Sequence, residues 1–149
     1  MRMAFTSVHF RTFVHATEDE GKVLQAMRFV SGLEEFEWNV TEGHHGNKIV
    51  ILEGSLREKK AARQFFRTLD PKDVQILIDT LEMRLDDDCF LFARLDKQQA
   101  FLGVRALTTS DDAIAIRAKV ESYPKKRENA MRSAQEFLQG ILDRDSEKR

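Results

Sequence analysis

The residues of this chain that could do chemistry lie mainly in one turn, Gly43-His44-His45-Gly46-Asn47. Imidazole nitrogens bind metal ions and act as general bases near neutral pH. Two ligands leave a zinc site incomplete, however, and the flanking glycines permit the positive φ angles of a tight hairpin. Two interpretations follow, a small metal-dependent hydrolase or a turn whose side chains serve geometry and hydrogen bonding, and the second is favoured.

Other reactive side chains give no catalytic pattern. Cys89 is the only cysteine, and a small buried thiol within a strand is its favoured interpretation. His9 and His15 lie six residues apart in an extended segment, roughly 20 Å, so they cannot share a metal without help from elsewhere. A structural or surface role is the favoured interpretation for each. The acidic run Asp86-Asp87-Asp88 is typical of a solvated turn. Nucleotide-binding, acyl-hydrolase and zinc-protease motifs do not occur. We therefore expect no catalytic residue, no metal and no cofactor.

Charge is segregated along the chain, although the 149 residues carry a net charge of only −1. Five cations and one anion lie between Ser55 and Thr68, and six cations and two anions between Arg117 and Arg132. Seven acids and two cations separate these groups, between Asp70 and Asp88. Cations spaced three, four and seven residues apart on a helix match phosphates along a nucleic-acid backbone. The residues predicted to contact such phosphates are Arg57, Lys59, Lys60, Arg63, Arg67, Arg94, Arg105, Arg117, Lys125, Lys126 and Arg127.

The elements that must position these cations follow from hydrophobic periodicity. Strands are predicted at 4–15, 35–42, 48–56, 89–95, 100–107 and 113–120. Helices are predicted from a Thr17-x-x-Glu20 capping box, over 57–69, from Asp70-Pro71 to residue 85, and after Ser122-Tyr123-Pro124. The order β-α-β-β-α-α-β-β-β-α predicts an α+β fold with a largely antiparallel sheet built from hairpins and helices packed on it.

Three details complete this expectation. The run Ile49 to Leu52 should be a central strand covered on both faces, and the strand carrying Trp38 and Val40 should be half-buried. Residues 1–143 should form a single domain followed by a charged tail at 144–149. The apolar runs are too short to span a bilayer, and the N-terminus does not resemble a signal peptide, so a cytoplasmic protein is expected.

One segment resembles a known family. It comprises Glu42-Gly43-His44-His45-Gly46-Asn47-Lys48-Ile49-Val50-Ile51-Leu52-Glu53 and the following basic helix with Ala62-Arg63-Gln64-Phe65-Phe66, together with Val8-His9-Phe10-Arg11 in the opening strand. These features resemble a family of archaeal proteins described as RNA-binding and exosome-associated. The resemblance implies an α+β fold similar to that of a ribosomal protein that binds 5S rRNA. It offers no catalytic residues to transfer.

The favoured hypothesis is therefore a non-catalytic RNA-binding protein of an archaeal cytoplasm that acts in RNA processing or decay. Structured RNA is the expected ligand because no exposed aromatic motif for single strands is present. An RNA-processing complex is the expected protein partner. The first alternative is a protein-interaction module or homodimeric scaffold that docks through its acidic and basic faces. The second alternative is the small hydrolase at His44 and His45.

Overall fold

Strand β1 (Phe5–Val14) is the middle strand of the sheet around which the chain folds. In the computed structural model, which describes residues 4–43 and 46–147, five strands and six helices occur. After β1 they are α1 (Glu20–Ser31), β2 (Glu37–Glu42), β3 (Lys48–Leu56), α2 (Lys59–Arg67), α3 (Pro71–Asp79), α4 (Leu81–Arg84), β4 (Phe90–Asp96), α5 (Lys97–Phe101), β5 (Ala113–Val120) and α6 (Arg127–Glu147). The open antiparallel sheet has the strand order β2-β3-β1-β5-β4, which confirms the predicted α+β class.

Period-2 alternation decides which side chains of the sheet enter the core. In β1 the buried positions are Val8, Phe10, Thr12 and Val14, while Arg11 and Phe13 between them are exposed. In β5 the buried positions are Ile114, Ile116, Ala118 and Val120, and the intervening Arg117 and Lys119 are exposed. Alternation thus holds along both strands, except that Phe5, on the other face of β1, is also buried.

The described residues divide into two compact units. The first comprises residues 4–8, 56–93 and 117–147, and the second comprises residues 9–43, 46–55 and 94–116. In the first unit Phe5 stacks on Phe66 with ring centroids 3.9 Å apart and meets Phe137 edge-on at 5.6 Å, while α6 packs against α3 and α4. In the second unit α1 packs against α5.

Local capping sets the helix starts, and here one prediction is wrong. Asp19, not Thr17, caps α1, since its carboxylate accepts hydrogen bonds from the backbone N–H groups of Gly21 and Lys22. Asp70 caps α3 with Pro71 in the first turn, as predicted. The helix expected to reach residue 85 breaks at Thr80, whose hydroxyl donates to the Ile76 carbonyl oxygen at 2.6 Å. Such side-chain bonds to the preceding turn compete with the helical ladder.

The predicted strand at 100–107 is wrong. The Asp96 carboxylate accepts a hydrogen bond from the Gln99 backbone N–H and caps the start of α5. Gly103, at φ +84°, follows the end of this short helix. Only one isolated bridge, Leu95 to Leu107, remains of the expected hairpin among the described residues. A capped helix and a short strand share the same apolar spacing over so few residues, so the cap decided the outcome.

The hairpin of β2 and β3 forms in antiparallel register from Glu37 opposite Glu53 to Glu42 opposite Lys48, as predicted. Its burial differs from the prediction. β2 is an edge strand exposed along its whole length, with Trp38 46% and Val40 65% exposed. In β3 Val50 and Leu52 are buried, while Ile49 and Ile51 are half-buried because only one face of β3 is fully covered.

Two segment ends also differ from the sequence expectation. Cys89 lies at φ +68° in the turn before β4, and not inside the strand, although its thiol is buried as expected. Helix α6 begins at Arg127, so Lys125 and Lys126 precede it, and it continues through Glu147. Within the described residues, no helix is both long and apolar enough to cross a membrane.

Candidate nucleic-acid interface

Helix α2 of the first unit presents a row of cations outward. Its apolar positions Ala62, Phe65 and Phe66 are buried. The opposite positions Lys59, Lys60 and Arg67 are exposed, Arg63 is half-buried, and Arg57 precedes the helix in the open. Residues three and four apart are neighbours on a helix surface, so these cations form one basic face.

The first turn of α2 lies next to the segment after β5. Lys59 Nζ is 3.4 Å from Glu121 Oε1, and both side chains are close to half-exposed. Such a pair contributes at most about 1 kcal/mol, so Lys59 can exchange Glu121 for another anion at small cost. The Arg63 Nε donates to the Lys59 carbonyl oxygen at 3.1 Å, which directs the Arg63 side chain along the helix.

A cavity of about 160 Å³, here called the α2–α6 cavity, lies between helices α2 and α6. Arg63 and Arg67 of α2 line it together with Phe137, Gly140 and Arg144 of α6; Glu136 and Ile141 complete the lining. The Arg67 guanidinium carbon lies 5.4 Å from the Phe137 ring centroid, a cation–π contact. Burial and the neighbouring charges of Arg144 and Arg63 lower the pKa of Arg67. Converging guanidinium groups around an open volume form an environment that favours an anion.

Sequence reasoning missed the α6 side of this cavity. Phe137 and Ile141 have the spacing of an apolar helix stripe, while Arg144 falls in the segment predicted as a charged tail. Positions 137, 141 and 144 follow the spacing i, i+4 and i+7 of one helix face. That spacing is the available signal, because extending the stripe by one turn beyond Ile141 places Arg144 on the same helix face as Phe137.

The remaining predicted contact residues fall into two groups. Arg117, Lys125 and Lys126 of the first unit are exposed, with the Arg117 guanidinium carbon 5.1 Å from the Phe90 ring centroid. Arg94 of the second unit is exposed and pairs with Asp111 at 3.0 Å.

Arg105 and Arg127 are held by internal contacts. The Arg105 guanidinium lies 4.1 Å from the Phe29 ring centroid and donates to the Phe29 carbonyl oxygen at 2.9 Å. Burial lowers its pKa, and its Nε is buried without a hydrogen-bond partner among the described residues. Arg127 donates to the carbonyl oxygens of Leu85 at 3.2 Å and Glu82 at 2.6 Å. These contacts direct both guanidinium groups toward backbone carbonyl oxygens within the protein.

A polar network in the second unit was also missed. His9 Nδ1 lies 2.7 Å from Ser55 Oγ, and His9 Nε2 lies 3.2 Å from Glu53 Oε1, which is 3.5 Å from Arg11 Nε. The network links β1 to β3 across the strands. It supports the structural role expected for His9.

One group of possible metal ligands contains its own cation. Ligand atoms of His15, Glu18 and Asp112 lie within 4.8 Å of one another. Lys97 Nζ lies 3.0 Å from Glu18 and 2.6 Å from Asp112, and the Lys97 side chain is only 3% exposed. The ammonium group therefore already offsets part of the carboxylate charge that a metal would otherwise neutralise.

Two candidates from the sequence remain. His44 and His45, on which the hydrolase alternative depends, lie outside the described residues. In the acidic run, the Asp86 carboxylate accepts from the backbone N–H groups of Asp88 and Phe90, at 3.0 and 2.9 Å. This is the geometry of a side-chain-stabilised turn, in agreement with the interpretation favoured above.

Comparison with known proteins supports a nucleic-acid role. A family profile described as RNA binding matches residues 7–120. RNA-binding protein PAB1135 of Pyrococcus abyssi is 33% identical over 144 residues, covering 90% of this chain and 94% of the relative. The uncharacterized protein MJ0213 of Methanocaldococcus jannaschii is 32% identical over 138 residues, covering 85% and 92% of the two chains.

The fold is shared with solved structures. Mth689 from Methanothermobacter thermautotrophicus, described as a DUF54 protein, is 38% identical, has a TM-score of 0.78 and covers 91% of this chain and 98% of its own. AF2318 from Archaeglobus fulgidus is 34% identical, with a TM-score of 0.76 and coverage of 89% and 99%. The profile matches residues 7–120, and the relatives and solved structures match about nine tenths of the chain, so this chain belongs to the RNA-binding protein family whose profile it matches.

Proposed function

We propose that this protein binds structured RNA without catalysis, through the basic face of α2 and the neighbouring cations of its first unit. Family membership supports RNA as the ligand. The observation that carries the proposal is the convergence of Arg63 and Arg67 with Arg144 around the α2–α6 cavity. Other exposed cations of the first unit extend the phosphate-contacting surface, namely Arg57, Lys59, Lys60, Arg117, Lys125 and Lys126. Arg94 is a separate proposed phosphate contact within the second unit, and Arg105 and Arg127 act as supporting residues.

The preference for structured RNA rests on what α2 exposes. Its outward face carries Lys59, Lys60, Arg63 and Arg67, while its two aromatic residues are buried. Binding of single strands relies on exposed aromatic rings that stack on bases. A row of cations on a rigid helix instead matches the regularly spaced phosphates of a duplex.

The cellular setting belongs to the same proposal. Relatives from archaea, one of them named an RNA-binding protein, support an archaeal RNA-binding role. We place that role in RNA processing or decay in the cytoplasm, with an exosome-associated complex as the protein partner. Co-purification of the exosome core with the tagged chain from an archaeal lysate, after nuclease treatment to remove bridging RNA, tests this placement.

Neutralising Arg63 and Arg67 together, as Arg63→Gln/Arg67→Gln, should weaken binding to an RNA hairpin by about tenfold or more per arginine. The slope of log affinity against log salt should fall by about 1.5 to 2, because two phosphate contacts are lost. Fluorescence anisotropy between 50 and 300 mM salt measures both quantities.

The matched control is Lys48→Gln/Lys72→Gln, which removes the same charge from exposed positions outside α2. It should leave the slope within experimental error. Equal losses in the two double variants would mean that net charge alone, and not the α2 face, determines binding.

A second candidate function is self-association through β2. This edge strand exposes Trp38 and Val40 on one face of a free sheet edge, and exposed edges pair readily with further strands. If a second copy pairs there, light scattering at 10–100 µM will show a dimer, and Val40→Lys will return the protein to a monomer. A Thr41→Lys control, on the opposite face of the strand, should keep the dimer if apolar packing drives it. A monomer at all concentrations removes this candidate.

A further inference from the structure

Gly140 lines the α2–α6 cavity. It lies inside α6, where glycine is a poor helix former compared with alanine. A Cβ atom added at Gly140 would meet no atom within 4 Å, so the space above it is open. A larger residue there would favour the helix and fill the cavity. The glycine thus keeps open a volume that the arginines surround.

The charge of the lining points to the class of ligand. Three guanidinium groups, from Arg63, Arg67 and Arg144, and one carboxylate, from Glu136, line the cavity. A phosphodiester within a chain carries one negative charge, whereas a phosphomonoester carries about −1.5 to −2 at neutral pH. Planar guanidinium groups also bind phosphate oxygens through paired hydrogen bonds. The surplus of positive charge therefore suits a monoester better than an internal phosphate.

The volume narrows the choice further. Pockets for drug-sized ligands span about 300 to 1,000 Å³. The α2–α6 cavity, at about 160 Å³, is too small for a complete nucleotide and large enough for a phosphate with part of its ribose. Only the end of an RNA chain offers a phosphomonoester on one side and continuing backbone on the other. The basic face of α2 lies beside the cavity to receive that backbone.

We propose that the α2–α6 cavity binds the terminal phosphomonoester of an RNA chain, a role that rests on the RNA binding proposed above. The protein then distinguishes RNA chains that end in a phosphate from those that end in a hydroxyl group. The phosphomonoester lies at either the 5′ or the 3′ end of the RNA, and the experiment below distinguishes these two positions.

The test compares one RNA hairpin prepared in three forms, with a 5′-phosphate, with a 3′-phosphate, and with hydroxyl groups at both ends. Anisotropy should show about fivefold or tighter binding for one phosphorylated form, which identifies the source. Gly140→Leu, which fills the cavity without altering charge, should abolish this preference for the phosphorylated form. Gly140→Ala, which leaves most of the space open, should retain it. Arg144→Gln should lose it by removing a phosphate ligand.

Two results would overturn the proposal. One is equal affinity for the three hairpins while all of them bind, which leaves the proposed RNA-binding function intact. The other is a preference that persists in folded Gly140→Leu and Arg144→Gln proteins. If no hairpin binds, the proposed function fails, and an NMR titration with a 5′- or 3′-phosphorylated dinucleotide decides this inference separately. Shifts of arginine Nε–H resonances that Gly140→Leu abolishes support it, and unchanged spectra reject it.

Discussion

Replacing Lys97 by methionine should lower the free energy of unfolding by about 3 kcal/mol. The Lys97 ammonium is buried and donates to the Phe13 carbonyl oxygen at 2.8 Å, to both carboxylate oxygens of Glu18 at 3.0 and 3.1 Å, and to Asp112 at 2.6 Å. Methionine preserves most of the side-chain volume but leaves the Glu18 and Asp112 carboxylates beside each other without a cation.

The size of this effect depends on how well the two acids can return to water. Glu18 is 19% exposed and Asp112 is 49% exposed, so Asp112 recovers much of its hydration and Glu18 little. For that reason the expected loss is at the low end of the range for breaking a buried ion pair, about 3 to 5 kcal/mol. Adding Glu18→Gln to Lys97→Met should restore part of the lost stability, because it removes one of the two negative charges that repel each other.

Urea unfolding followed by circular dichroism at pH 7 measures these changes. Arg94→Gln is the matched control, since Arg94 pairs with Asp111 at 3.0 Å but Asp111 is 99% exposed. An exposed pair of this kind contributes less than about 1 kcal/mol. Should Lys97→Met cost no more than Arg94→Gln, the Lys97 cluster would not be an anchor of the second unit.

The Lys97 cluster also shows why local sequence patterns fail where long-range contacts compete. Thr17-x-x-Glu20 matches a capping box, yet Asp19 caps the helix. The preceding Glu18 is held by Lys97 and accepts from the His15 backbone N–H at 2.9 Å. Those contacts set the chain direction before α1. Lys97 lies between the strands predicted at 89–95 and 100–107, so its cluster with Glu18 and Asp112 does not follow from spacing.

Patterns that involve only neighbouring residues did predict structure correctly. Alternation identified β1 and β5 with their buried faces, and Asp70-Pro71 identified the start of α3. The basic face of α2 followed from helical spacing alone. The α2–α6 cavity did not, because Arg67 and Arg144 are distant in the chain and only the fold brings them together. Sequence thus predicted one wall of the proposed site and missed the other.

Phe66→Ala should produce the largest loss of stability, about 3 to 5 kcal/mol. The Phe66 ring is 1% exposed, stacks on Phe5 at 3.9 Å and meets Phe65 edge-on at 5.2 Å. Removing it leaves a cavity beneath α2 in the core of the first unit. Because the free energy of unfolding of a domain is about 5 to 15 kcal/mol, this single change removes a large part of the stability.

The same substitution connects the core to the RNA surface. Phe66 anchors α2 in the first unit, so Phe66→Ala at a temperature where the protein stays folded should also weaken hairpin RNA binding, although it removes no charge. Phe66→Leu, which keeps a branched apolar side chain, should cost less stability and leave affinity close to that of the unaltered protein. Met83→Ala is the surface control, since Met83 is 85% exposed and should change unfolding by less than about 0.5 kcal/mol. A Phe66→Ala protein that binds RNA with unchanged affinity and salt slope would show that the RNA surface does not depend on how α2 is held.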